Sequence, residues 1–316
     1  MKKICITGIN GFIGNRLSHA LAAKGKLVTG FFRNPSPNLS SNKIEYVNIA
    51  DIRDKNNWEY LLKGFDCLVH CAAKNHEMSN HKNFEDFNSI NAEATKDLAE
   101  SAVKAGIKKF IFLSTIKVNG EITGDNDQYT AFTNEDKPNP QDVYSSSKLS
   151  AEKLLWDISN KTNLEVSIIR LPLVYGFGVK GNLKRLIKLI NFGIPLPFSL
   201  INNKRSLIGI DNLVDLLIKC IESPSAANKT FLTSDGKDLS TPDLIKLIAS
   251  SMGRKAYLFP FPVSLLKFLG IIFRKRNEID RLIGSLRIDD SYTKKTLNWS
   301  PPLSVEEGIR KMIQGK

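Results

Sequence analysis

The chain has 316 residues, 42% of them apolar and 24% charged, the composition of a globular protein long enough to bury one large core and a smaller one. Lysine and arginine total 45 against 32 aspartate and glutamate, and the net charge of +13 points either to an anionic partner or to a basic surface with no such purpose. The cations are scattered, no nucleic-acid motif is present and no apolar run is long enough to span a bilayer, so an anionic small molecule is a better fit than DNA or an integral membrane role.

The N-terminal Met-Lys-Lys is basic, but the apolar stretch behind it breaks at Thr7-Gly8, too soon for a secretory signal, and the expected location is the cytoplasm. Cys5, Cys67, Cys71 and Cys220 form no CxxC pair and read as reduced core cysteines. His19, His70, His76 and His81 lack metal-ligand spacing, and no metal is expected.

In chain order, short Ile-, Val- and Phe-rich runs predict strands at Lys3–Thr7, Leu27–Phe32, Glu45–Ile49, Cys67–Cys71, Phe110–Ser114 and Val166–Arg170. Helical periodicity predicts Phe12–Ala23, Ile90–Ala105 and Val143–Asn160 between them. Strands alternating with helices predict an α/β fold, a doubly wound parallel sheet covered on both faces, over residues 1–170. Beyond 170, helices near Leu183–Asn191, Asn212–Ile221, Pro242–Met252 and Val305–Ile313 are separated by Pro- and Gly-containing loops. Residues 171–316 are therefore expected to form a smaller lobe, with some segments returning to the sheet. Phe259–Phe273, followed by Arg274-Lys275-Arg276, reads as a lobe helix facing the core, with a membrane-surface helix as the alternative.

The stretch ITGINGFIG places Gly8, Gly11 and Gly14 between the first strand and the first helix. Unpaired N–H groups and the helix dipole attract an anion there, and glycines let phosphate oxygens come close; a strand, this turn and a helix together predict a dinucleotide diphosphate site. The second strand ends Phe31-Phe32-Arg33-Asn34 without the carboxylate that would bind the adenosine ribose. Arg33 is a candidate clamp for a 2′-phosphate, and on this argument the reading leans from NAD(H) to NADP(H). Asp51 is a candidate for the adenine, or else an N-cap for the helix that follows. Cys71-Ala72-Ala73 ends the fourth strand with residues small enough for a cofactor, or for a tight helix–sheet contact, to pass close by.

In VYSSSK, Tyr144 and Lys148 stand four apart on one helical face. A free phenol titrates near pH 10, and a neighbouring ammonium, or a cationic nicotinamide, lowers that value enough for Tyr144 to exchange a proton with a sugar hydroxyl or ketone. Ser114 and Thr115 close the fifth strand at the carboxyl edge of the sheet, where a hydroxyl polarises a reacting oxygen or merely caps a turn.

These motifs, with HCAA, Asn91 in NSINAEAT, FLSTIKVNG, RLPLVYGFGVKGN, KRSLIGIDNLVD and TLNWSPP, resemble the extended short-chain dehydrogenase/reductases, the nucleotide-sugar epimerase/dehydratase superfamily, over nearly the whole chain. The resemblance implies a Rossmann domain and a C-terminal lobe for a UDP- or dTDP-sugar. By that likeness Thr115, Tyr144 and Lys148 are catalytic, and Lys148 also holds the nicotinamide ribose. Asn10, Phe12, Ile13, Ile52, Cys71, Ala72, Ala73, Asn91 and Leu171 join Gly8, Gly11, Gly14, Arg33 and Asp51 around the cofactor. Thr115, Asn182 and Arg205 meet the substrate, Arg205 at its phosphates. Within the superfamily the sequence is most similar to the UDP-N-acetylquinovosamine dehydrogenase group, which reduces UDP-4-keto-6-deoxy-N-acetylhexosamine for surface polysaccharide such as O-antigen. Leu173, Asn119 and the missing ribose carboxylate depart from ordinary 4-epimerases, the alternative reading. Ile116 and Lys117 stand where dehydratases carry an acidic pair. Relatives also imply a homodimer packed through Ile90–Ala105 and Val143–Asn160.

Overall fold

The computed structural model describes residues 2–34, 41, 43–54, 57–74, 84–124 and 131–315. Among them, seven strands form one parallel sheet: β1 (Lys3–Thr7), β2 (Leu27–Phe32), β3 (Ile44–Asn48), β4 (Cys67–His70), β5 (Lys109–Thr115), β6 (Glu165–Leu171) and, entering beside β6, Lys229–Leu232. Their order in space is β3-β2-β1-β4-β5-β6 and then the Lys229–Leu232 strand. The order reverses at β1, and such a switch point opens a crevice at the carboxyl ends of the strands. Every residue of β5 is buried, as are the last four of β1 and last six of β6, because both faces of the sheet are covered.

On one face lie α1 (Phe12–Ala23) and α7 (Ile210–Glu222), packed through Leu17, Leu21, Leu213 and Leu217 onto Ile111, Leu113 and Ile169. On the other lie α4 (Ala94–Lys104) and α5 (Val143–Lys161), packed through Leu98, Ala102, Ala151 and Leu155 onto Phe110, Phe112, Val166 and Ile168. Odd positions of β5 thus face one layer and even positions the other, as the two-residue strand period requires. The short α2 (Trp58–Leu61) and α3 (Phe84–Asn88) complete this half. The sequence predicts one helix over Ile90–Ala105; the structure instead starts at Phe84 and passes through a π-helical turn, Ser89–Glu93, before α4. Periodicity cannot reveal one extra residue in a turn, and π turns concentrate at functional sites.

A second core gathers β7 (Leu173–Tyr175), β8 (Leu207–Gly209), α6 (Gly181–Asn191), α8 (Thr241–Ser251) and α12 (Val305–Gln314) around Leu183, Ile190, Leu207, Ile245, Ile248 and Ile309. The strand Lys229–Leu232, β9, lies between α7 and α8 in the chain. Two of the quoted motifs serve this packing: Tyr175 donates to Asp235 at 2.6 Å, and Asp235 also accepts from the Gly209 N–H and, at 2.7 Å, from Asn212.

Segment 259–273 corrects an expectation. Only Val263–Ile272 is helical, as α9, and it forms a hairpin with α10 (Arg276–Ile283) before α11 (Ser291–Leu297). Leu266 and Gly270 are buried, but Leu265, Phe268, Ile271 and Ile272 point outward, so most of its apolar side chains do not face the core.

Between α5 and the sheet lies a charged pair. The Glu152 carboxylate accepts from Arg170 Nη2 at 2.6 Å and Nε at 3.1 Å and also from the Ser114 hydroxyl, while Arg170 Nη1 donates to Asn119 at 2.9 Å. Both charged side chains are at least nine-tenths buried. Removing one partner strands the other in a medium that solvates it poorly. Glu152→Gln is expected to cost about 3–5 kcal/mol of stability in denaturant unfolding, and Glu152→Leu combined with Arg170→Met to recover much of it; an unchanged midpoint for the single variant would refute this account.

Candidate active site

The residues singled out from sequence gather at the carboxyl edge of the sheet. Gly8 follows β1, Arg33 follows β2, Asp51 and Ile52 follow β3, Cys71-Ala72-Ala73 follows β4, Thr115 ends β5 and Leu171 ends β6. The Gly8 N–H donates to Phe31 O at 3.0 Å, and its φ of +69° is a left-handed conformation that glycine adopts without strain. A Cβ at Gly8 would stand 2.8 Å from Ala72 N, and one at Gly14 only 2.4 Å from Gly8 O. The turn is thus packed against the backbone that follows β4, a close approach that leaves no room for a side chain at Gly8.

Helix α1 begins at Gly11 with no side chain capping its first N–H groups and no acidic residue in its first turn. Those donors, at the positive end of the helix dipole, fit a diphosphate. Asn10 holds the turn in place by donating to Asn34 O at 3.1 Å. Phe12 and Ile13 are half-buried beside it.

Asp51 does not cap the next helix; Asn57 does, accepting from the Tyr60 N–H. Asp51 accepts from the Arg53 N–H at 2.9 Å and from the Arg53 guanidinium at 3.0 and 3.2 Å, and lies 3.6 Å from Arg33 Nη1. Those Arg53 hydrogen bonds are the main cause of a lowered Asp51 pKa, with Arg33 adding to it. Arg33 is exposed and faces this carboxylate, so the third strand supplies beside Arg33 the negative charge that the second strand lacks.

The buried Asn91 accepts from Lys74 N–H at 2.8 Å, and its amide donates to Lys74 O at 2.9 Å and to Ser147 Oγ at 3.0 Å. It therefore ties the segment after β4 to α5. Its own backbone carbonyl accepts from Thr95, and Thr95 in turn bonds His70, which also bonds Thr7 at 2.6 Å. Burial pushes His70 down to about 3, so it is neutral across the physiological range and acts as a linker in the core. His76 and His81 lie outside the described residues.

Asp142 starts α5, accepting from the Ser145 N–H at 2.7 Å, with Ser145 closing the box by accepting from Asp142 N–H. This cap sets Tyr144 in the first turn and Lys148 one turn below it. The expected effect of the lysine on the phenol is corrected here. Lys148 Nζ donates to Leu113 O at 2.7 Å and sits 4.2 Å from the centre of the Phe112 ring. Burial pushes its pKa down to about 7. Tyr144, half-buried, has its pKa raised by desolvation and by the Asp142 carboxylate. In this arrangement the phenol is held protonated. Spacing puts two side chains on one helical face but does not choose the acceptor for a flexible ammonium.

Thr115 Oγ1 accepts from the Lys117 N–H at 3.3 Å, whereas Ser114, facing the other layer, is committed to Glu152 and is not available to a substrate oxygen. Arg205 Nη1 donates to Arg281 O at 2.8 Å and Gly284 O at 2.9 Å, fastening the end of α10, and burial pushes its pKa down to about 10. Asn182 is exposed in the first turn of α6.

Sequence reasoning missed the cluster at the mouth of the site. Lys117 Nζ lies 2.7 Å from both Glu121 and Asp142, and Arg281 Nη2 lies 3.2 and 3.5 Å from the same two carboxylates. A cavity of about 230 Å³ adjoins it, walled by Ile122, Ile201, Asn202, Val263, Lys267, Asp280, Ile283 and Gly284. The signal present in sequence was Lys117 itself, a cation two residues after the strand-end hydroxyl. No group of three metal-ligating side chains occurs among the described residues.

A parallel sheet with an uncapped glycine turn at its switch point and a Tyr–Lys helix beside its fifth strand is the layout of a dinucleotide-binding α/β fold. The NAD dependent epimerase/dehydratase family matches residues 4–232, and the chain belongs to that family. It is 39% identical to the UDP-glucose 4-epimerase of Vibrio cholerae over 99% of this chain and 95% of that one. In fold it is similar to the UDP-glucose 4-epimerase of Thermotoga maritima solved with UDP-glucose (TM-score 0.79, 22% identity, 99% and 97% of the two chains). The UDP-glucuronic acid 4-epimerase of Bacillus cereus solved with NAD gives a TM-score of 0.78 at 22% identity over the same shares.

The Lys148 geometry has a stability consequence of definite sign. An unfolded lysine stays protonated to about pH 10.5, whereas the buried one releases its proton near 7. Between those values the unfolded chain binds more protons, so rising pH favours the fold; below 7 both states are protonated and the burial cost is felt in full. Lys148→Met is therefore expected to raise the melting temperature relative to wild type most at pH 6–7. That difference should shrink by a few degrees as pH approaches 10, read by calorimetry across the range. A difference independent of pH would contradict the buried-ammonium assignment.

Proposed function

We propose that the protein is an NAD-dependent 4-epimerase of a UDP-hexose or UDP-N-acetylhexosamine. One observation carries the choice of reaction: the likeness to the Vibrio cholerae UDP-glucose 4-epimerase runs nearly end to end in both chains. The geometry is in keeping with it, because a glycine turn suited to a diphosphate follows β1 and a half-buried phenol stands at the start of α5, both on the carboxyl side of the sheet.

The reductase reading from sequence loses two of its three supports. Asn119 is buried, accepting from Arg170 and donating to Thr133 O at 3.3 Å, so it is part of the framework under the site. Arg33 faces Asp51, and a 2′-phosphate would have to displace or neighbour that carboxylate; the pairing favours NAD over NADP. An epimerase returns the electrons it takes and has no need to exchange its coenzyme.

In this proposal Gly8, Asn10, Gly11, Phe12, Ile13 and Gly14 receive the diphosphate, Asp51 and Ile52 the adenosine half, and Ala72, Ala73 and Leu171 flank the nicotinamide half. When bound, NAD supplies the two-electron redox chemistry at C4 of the sugar. Tyr144 takes the O4 proton and gives it back, and Thr115 donates a hydrogen bond to the same oxygen, holding it in line. Lys148, leaving Leu113 O, holds the nicotinamide ribose and offsets the charge of the phenolate, countering Asp142. At the end of β5 the Ser114 hydroxyl donates to Glu152 while the Thr115 hydroxyl accepts from the Lys117 N–H, so in this reading Thr115 is the donor to O4 and Ser114 takes no part. The sugar nucleotide occupies the cavity beside Arg281, and inversion needs room for the hexose to turn over. The reading keeps the homodimer expected through α4 and α5.

The test incubates purified protein with UDP-glucose, UDP-galactose and their N-acetyl counterparts without added coenzyme and follows both epimers by NMR. Each pair is expected to converge on one ratio from either side, and Tyr144→Phe to slow the approach by about a hundredfold or more. Stoichiometric consumption of NADPH with UDP-4-keto-6-deoxy-N-acetylglucosamine, without interconversion of the other sugars, would restore the reductase in its place.

A further inference from the structure

The outer face of the α9–α10 hairpin is used by nothing above. On α9, Leu266 and Gly270 point inward, and Gly270 allows the close approach of α10: a Cβ there would stand 2.9 Å from Ile279. The opposite face presents Leu265, Phe268, Ile271 and Ile272, each 41–58% exposed, and Phe273 at the tip is 68% exposed. Leading into the helix, Tyr257 and Phe259 are also exposed and pair by backbone with Leu196, next to the exposed Phe192 and Ile194. Single exposed apolar residues are ordinary on a protein surface, but four exposed phenylalanines and a tyrosine on one hairpin, the segment leading into it and the segment paired with that are more than the ordinary scatter.

Basic side chains bracket this surface. Arg254 and Lys255 precede it, and Arg274, Lys275 and Arg276 close it, all exposed. Arg274 occupies the left-handed turn that ends α9 (φ +54°), a conformation usually given to glycine, so a cation is carried on the hairpin tip despite the backbone. Lys275 and Arg276 have acidic neighbours, Glu278 at 3.0 Å and Asp280 at 3.6 Å, but these are surface pairs that compete weakly with an outside anion. Between 263 and 283, leaving aside Arg281, which turns to Glu121 and Asp142, Lys267, Arg274, Lys275 and Arg276 stand against Glu278 and Asp280, on a chain of net charge +13.

We propose that the α9–α10 hairpin and the Tyr257–Phe261 segment before it seat the protein on the anionic surface of a lipid bilayer, lying in the interface without crossing it. Apolar and aromatic side chains enter the boundary between headgroups and acyl chains, and the flanking cations meet lipid phosphates. A second copy of the chain is the poorer occupant, because a two-fold contact through this face would bring two identical basic rims together, whereas anionic headgroups neutralise them. No helix among the described residues is long and apolar enough to cross a membrane.

The experiment sediments the full chain with vesicles of phosphatidylglycerol and phosphatidylcholine, and with phosphatidylcholine alone. Wild type is expected to prefer the anionic vesicles by about tenfold or more and to be released by salt. Phe268→Glu with Ile272→Glu should abolish binding, and Arg274→Ser, Lys275→Ser, Arg276→Ser together should weaken it by about tenfold or more. Circular dichroism and melting temperature are compared with wild type, and the exposed triple variant keeps the test decisive if the double one misfolds. No anionic preference, or full binding by both variants, overturns the proposal. Self-association in sedimentation velocity that the Phe268/Ile272 variant removes in the absence of lipid would assign the face to a second copy and overturn it as well.

Discussion

Helix α5 is fastened to the sheet by polar and charged groups, and the candidate site depends on that attachment. Glu152 reaches Arg170 and Ser114, Lys148 reaches Leu113 O, and Ser147 accepts from Asn91. Apolar packing of Ala151 and Leu155 alone would hold the helix on the sheet but tolerate sliding, because dispersion has little direction. Hydrogen bonds of fixed geometry, placed where an unpaired charge is costly, hold one register. That register sets the distance between the first turn of α5, which carries Tyr144, and the end of β5, which carries Thr115.

The same bonding reaches across the switch point. Thr7 on β1 bonds His70 on β4, His70 bonds Thr95 on α4, and Thr95 bonds the carbonyl of Asn91, whose side chain grips α5. The strand that feeds the glycine turn and the helix that carries the phenol are thereby linked through neutral groups. His70, with its pKa pushed down to about 3, keeps one charge state wherever an enzyme of this kind works, so the linkage does not loosen with pH.

Much of this was legible in sequence where local and global signals agreed. β1, α1 and β2 have the predicted bounds because an apolar run, a glycine turn and an amphipathic helix follow one another without ambiguity. The three-residue strands β7 and β8 gave no period to detect, and the π turn at Ser89–Glu93 shifted a helix that looked continuous. Residue types at the site were legible, but not their partners. Lys148 and Tyr144 share a face, yet the lysine stem is long enough to take its ammonium to Leu113 O. Arg205 reads in sequence as a phosphate ligand, and its Nη1 here donates to two backbone carbonyls at the end of α10, partners that lie 76 and 79 residues away in sequence and that no local pattern announces. Glu152, four residues beyond Lys148 on a buried stripe, was the visible sign of an internal ion pair: a carboxylate at a core position implies a cation facing it.

The basic surplus divides by what each cation meets. Arg170, Arg205 and Lys109 are spent inside the fold, on a carboxylate and on backbone carbonyls. Lys117 and Arg281 at the mouth of the site meet Glu121 and Asp142, so that region is balanced rather than strongly positive before any substrate arrives. On the proposed reading, a diphosphate entering there would exchange one set of charge-assisted bonds for another, which favours selection by shape and hydrogen bonding over attraction of any anion. Toward the tip of the α9–α10 hairpin the balance fails: among the described residues, Lys275 pairs with Glu278 and Arg276 with Asp280, three cations against two carboxylates, beside apolar side chains that water solvates poorly. Neutralising that excess and covering that surface are a single physical problem, and one anionic, apolar-cored partner solves both.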